Sequence, residues 1–162
     1  MKTPLILVSN PISRQVPSES HHTSRNGEPR IDYLEIAHRL HGDLYGLSSD
    51  DGKAGRYLNR MQKAIRIDLA GAAAAARHSG ECSVFLSMSE KVALPLAGLL
   101  RFEHAHAPHI VIGHKLSTGF KTYLFRSIHL HRQFARVITV SRSQAEYART
   151  ALGFPASNVD FI

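Results

Sequence analysis

HIVIGHKLSTGFKTYLFRSIHLHRQFARVITVSRSQAEYARTALGFPASNVDFI, residues 109–162, is the stretch whose reading decides the fold. Its first strand, His109–Ile112, leads through Gly113 to His114 and then to a basic helical run over Phe120–Phe134. A second apolar run, Val137–Val140, ends at Ser141 and gives way to a helix. Ser143 and Glu146 stand at the spacing of a capping box for that helix, and Gly153 terminates it before Pro155. Val159–Ile162 opens a further strand. Strands that alternate with helices in this way imply right-handed crossovers and a parallel sheet covered on both faces.

The same grammar extends toward the N-terminus. Pro4–Asn10 reads as a buried strand that stops at Ser9-Asn10-Pro11, and 12–30 as a long polar loop of the kind that is functional or mobile. Asp32 starts a helix that Gly42 ends, followed by a weaker strand over Asp43–Leu47. Leu58, Met61, Ile65, Leu69, Ala72 and Ala76 form one apolar stripe, which predicts a single long helix over Arg56–Arg77. Cys82–Leu86 is a continuous apolar strand, and Ser87-Met88-Ser89-Glu90 reads as a capping box opening a helix to about Phe102. Pro95 should end the first turn of that helix or kink it. The expectation is therefore a Rossmann-like three-layer α/β/α domain with a mostly parallel six-stranded sheet in the order 2-1-3-4-5-6. Its switch point, and with it a ligand cleft, falls between strands one and three.

The 162 residues suffice for one domain with a real core. A single cysteine, Cys82, cannot form an internal disulfide, and Leu5–Val8 is too short for a signal sequence or a membrane span, so the chain reads as cytoplasmic. The formal charge of +7 is uneven: residues 101–162 carry 8 Lys/Arg against 3 Asp/Glu, and 1–100 carry 12 against 10. Such a field attracts phosphates without distinguishing nucleotide, lipid and nucleic acid, and it also fits a merely solvated basic surface. Lys115, Lys121, Arg126, Arg132 and Arg136 surround the helix whose apolar residues are Phe120, Leu124 and Ile128. That face suggests peripheral contact with anionic lipid at the inner membrane surface, through Lys121, Arg126 and Arg132. With aromatics at 7% and no stacking platform, nucleic acid is not expected as a partner.

Several chemistries drop out by motif. The turn after strand one, Asn10-Pro11-Ile12-Ser13-Arg14, lacks the glycines of a dinucleotide fingerprint, and no P-loop, H-E-x-x-H or G-x-S-x-G occurs. His104, His106 and His109, like His129 and His131, lack the spacing of a recognised zinc site, so no metal is expected. His114 is the sharpest candidate, because a side chain at the C-terminal edge of a strand faces the expected cleft. An imidazole there can bond a sugar hydroxyl or stabilise developing charge. The competing account is a loop histidine tied to a nearby backbone carbonyl.

The blocks PLILVSN, DYLEIAHRLHGDLYGLS, SVFLSMSEKVALPLAGLL, HIVIGHKLS and VITVSRSQAEYARTALGFPASNVDFI follow one another as in the N-terminal domain of GT-B fold glycosyltransferases. The resemblance is to the retaining, nucleotide-sugar-dependent group and is strongest from Cys82 onward. It implies that residues 1–162 are the acceptor-side half of a two-domain hexosyltransferase. The nucleotide-sugar donor would then be a cosubstrate held by a C-terminal domain absent here, with no appreciable transferase activity in this chain alone. It also implies that His114 is the catalytic position near the donor sugar. Asn10, Arg14, Ser87, Glu90, Lys115, Ser141 and Arg142 would then line the acceptor wall. The Gly-Gly loop that many members carry after strand one is missing, with Gly27 alone in the corresponding region. A stand-alone, non-catalytic Rossmann-like binding or scaffold protein is the alternative.

Overall fold

The computed structural model describes residues 2–8, 32–45, 67–103 and 107–162. Six parallel strands form one sheet: β1 (Thr3–Leu7), β2 (Asp43–Tyr45), β3 (Cys82–Ser87), β4 (His109–Gly113), β5 (Arg136–Thr139) and β6 (Val159–Phe161), in the order β2-β1-β3-β4-β5-β6. Five helices belong to the described residues: α1 (Asp32–Leu40), α2 (Leu69–Ala76), α3 (Glu90–Phe102), α4 (Gly119–Ser127) and α5 (Arg142–Thr150). The domain is thus a Rossmann-like α/β fold with the strand order the sequence predicts, and every strand pair is parallel.

Alternation along the strands sorts the side chains into two faces. Leu5, Leu7 and Phe85 pack against the small residues of α2 and against Val92, Leu96 and Leu100 of α3. Val111, Val137 and Val159 continue that layer beneath Phe125, Leu130, Phe134, Ala145 and Leu152. Ile6 and Leu86 point the other way, toward Ala37 of α1. Each fully buried Leu, Ile or Phe in these layers contributes about 1.5–3 kcal/mol of transfer free energy.

Several helix boundaries differ from the sequence reading, each for a local reason. The expected helix over Arg56–Arg77 does not run through Asp68, which instead caps α2 by accepting from the Gly71 N–H (2.8 Å). The rest of that expectation lies outside the described residues. Pro95 leaves α3 unbroken, because the carbonyl it cannot serve, that of Lys91, accepts from the Asp68 N–H at 2.8 Å. The backbone donor lost at Pro95 is thereby replaced from α2, which also docks the two helices. The run Phe120–Phe134 is two elements: α4 ends at Ser127, His129 takes a left-handed conformation (φ 52°), and a 3-10 turn covers Leu130–Gln133. The break lets both Leu130 and Phe134 reach the core beside Phe125.

The chain leaves α1 through His41 in the left-handed region (φ 48°), with the Gly42 N–H on the Ala37 carbonyl (2.9 Å). Gly42 is needed for a different reason. A Cβ there would stand 2.9 Å from the Pro4 carbonyl and 2.5 Å from the tip of Ile6, so glycine permits α1 to close onto β1.

Candidate functional site

The C-terminal ends of β1, β3 and β4 are stitched together at the switch point. The Met88 N–H donates to the Leu7 carbonyl (2.9 Å), and the Met88 carbonyl accepts from His114 Nε2 (3.1 Å). The His114 ring therefore lies over the end of β3, exposed to solvent. This is the carbonyl bond foreseen for a structural histidine, and it occurs at the edge foreseen for a functional one. A carbonyl only accepts, so Nε2 carries the proton and the neutral ring keeps its lone pair on Nδ1.

The loop that follows is held from two helices. The Lys115 N–H donates to Oε1 of Glu90 (2.5 Å), and the Leu116 N–H donates to Oε1 of Gln144 (2.8 Å). Gln144 Nε2 reaches Ser117 Oγ (3.1 Å), and Lys121 Nζ donates to the Lys115 carbonyl (2.5 Å). Lys121 also lies 3.5 Å from the Glu90 carboxylate, with side chains only 22% and 6% exposed respectively. Leu116 is fully buried, folded back against Gly113, where a Cβ would come within 3.0 Å of it.

These contacts reassign several predicted residues. Glu90 is not at the cleft surface; its carboxylate is committed to the loop, and the capping box with Ser87 does not form. Ser87 is fully buried as the last residue of β3, and its Oγ lies 2.8 Å from His109 Nε2. Both face the core because they sit on the sheet face covered by Phe85 and Phe134, whose rings flank the imidazole at 6.1 and 4.7 Å. Burial pushes the His109 pKa down to about 3, which keeps the ring neutral.

Ser141, not Ser143, caps α5, accepting from the Gln144 N–H at 3.3 Å. That earlier register frees the Gln144 side chain for the loop after β4. Arg142 is exposed at the same edge, its guanidinium 5.5 Å from the centre of the Phe161 ring. Lys115 is exposed beside His114. Asn10 and Arg14 lie outside the described residues, as do His104 and His106. The structure thus brings His114, Lys115, Glu90, Ser141 and Gln144 into one connected edge and withdraws Ser87 from it. Gln144 and Lys121 were missed as loop supports, because nothing in their spacing announces a partner 28 or 6 residues away.

The basic helix is only partly a free surface. Lys121 is turned inward, and Arg136 pairs with Asp160 at 2.7 Å. Arg126 and Arg132 remain exposed, beside exposed Tyr123 and Ile128. No group of three or more His, Cys, Asp or Glu among the described residues is placed to hold a metal. No helix among them is long and apolar enough to cross a membrane. At the opposite, N-terminal pole of the strands a pocket of about 400 Å³ is lined by Lys2, Ser79, Cys82, Ser83, Glu103 and Pro108. It is remote from the switch-point edge, and burial raises the pKa of its Cys82 thiol, which favours the protonated form. No known protein family matches the chain, and no curated protein or solved structure does either.

Proposed function

We propose that this chain is the acceptor-binding half of a glycosyltransferase. It holds an acceptor hydroxyl at the C-terminal edge of the sheet while a second domain presents a nucleotide-diphosphate sugar. The observation that carries the reading is the switch-point stitch from Leu7 through Met88 to His114, which sets a solvent-facing imidazole where ligands of open α/β sheets bind. Val140 and Phe161 add support: they are 42% and 48% exposed at the same edge, an apolar rim suited to a second domain.

In this reading His114 touches the reacting sugar or hydroxyl, and Lys115, Ser141 and Arg142 border the acceptor. Glu90 acts through the loop, not on the ligand. The diphosphate is bound by the other domain, so the isolated chain has no appreciable turnover, and no metal is assigned a role. The reading also carries a cytoplasmic location with peripheral contact to anionic lipid through Arg126 and Arg132. In the two-domain protein, His114→Ala should lower kcat by about 100-fold and leave nucleotide-sugar affinity nearly unchanged. Equal kcat in variant and parent removes His114 from the reaction.

A further inference from the structure

The geometry points to Glu90 and Gln144 as positioning residues that lock the loop 114–117, so that His114 meets its ligand through Nδ1 as a hydrogen-bond acceptor. The group recognised at that atom is then a donor, such as a hydroxyl, and not an anionic oxygen. What the ligand is for rests on the acceptor-domain reading; the lock does not.

Loops at strand ends ordinarily open cheaply, because their amides are served by water. Here two consecutive amides, those of Lys115 and Leu116, are each served by a side chain from a different helix, α3 for one and α5 for the other. Glu90 is the first residue of α3 and is buried, so its charge is worth keeping only if it is answered. Lys121 and the helix N-terminus supply that answer, and the Lys121 bond to the Lys115 carbonyl closes a ring around the backbone of that one residue. Gln144 uses both ends of its amide, Oε1 on Leu116 and Nε2 on Ser117. Leu116 anchors the loop from beneath. A backbone so held fixes where His114 starts, and the Met88 carbonyl fixes which nitrogen is protonated. Nδ1 makes no hydrogen bond among the described residues, the residue is exposed, and in the Nε2–H tautomer Nδ1 carries the lone pair. A phosphate or carboxylate oxygen brings no proton to that lone pair, whereas an acceptor hydroxyl does.

Long-range nitrogen–proton NMR of the histidine rings, with amide hydrogen exchange, tests the lock in this chain without any donor sugar. At about pH 8 His114 should be the Nε2–H tautomer. Gln144→Ala and Glu90→Ala should mix the tautomers and speed exchange of the Lys115 and Leu116 amides at least about tenfold. Glu90→Gln, which retains an acceptor oxygen, should preserve most of the Lys115 protection. An Nδ1–H or evenly mixed tautomer in the parent overturns the assignment of the ligand-facing atom. Unchanged tautomer and exchange in Gln144→Ala overturn the lock, and that comparison stands even if Glu90→Ala does not fold. A correct tautomer together with an unchanged kcat in His114→Ala of the two-domain protein would instead count against the acceptor-domain reading alone.

Discussion

His109 shows how one buried residue sets the pH range of the domain. The folded ring stays neutral down to about 3, whereas in the unfolded chain it takes a proton near its usual 6.5. Between those values the unfolded state binds more protons, so stability is fully present above about 6.5 and drains away as the pH falls toward 3. The slope is about 1.4 kcal/mol per pH unit, which makes the domain about 3 kcal/mol less stable at pH 4.5 than at pH 7 from this residue alone. Urea unfolding at the two pH values should show that difference, and His109→Phe should reduce it; a flat profile in the parent contradicts the burial account. From sequence, His109 reads as one of several histidines in a possible cluster. Its pairing with Ser87 is set by the β3–β4 register, which no local pattern encodes. His114 was legible because its position after a strand follows from alternation alone.

At the scale of elements, apolar periodicity located the helices and strands, but tertiary partners set their ends. The pattern through residues 120–134 continues past Ser127, yet the helix stops there so that Leu130 and Phe134 can both enter the core. Pro95 looked like a breaker in α3 and is not one, because Asp68 takes up the carbonyl that it leaves free. Two Ser-x-x-Glu spacings looked like capping boxes. In one the glutamate serves a distant loop, and in the other the cap lies two residues earlier at Ser141. The charge of α4 divides in the same way, with Lys121 inward and Arg126 outward. Flotation with vesicles of phosphatidylglycerol should therefore show binding that salt weakens and that Arg126→Glu with Arg132→Glu abolishes. Lys121→Gln should leave this binding within about twofold. Absence of salt-dependent binding removes the lipid surface.

For the molecule as a whole, the strand order was legible because short βα connections and one long crossover leave few right-handed solutions. The supports of the switch-point edge were not, since Glu90, Lys121 and Gln144 meet the loop only after α3, α4 and α5 have all docked on one face. The placement of His114 thus depends on packing well beyond the strand that precedes it. A backbone chemical-shift titration of the chain with neutral saccharides, and separately with a nucleoside diphosphate, tests that dependence and the acceptor-domain account together. The account predicts saccharide-induced shifts confined to residues 88–90, 114–117 and 141–144, with little response to the nucleotide. Tight nucleotide binding, or saccharide shifts centred on Lys2, Cys82 and Glu103 at the opposite pole, would contradict it.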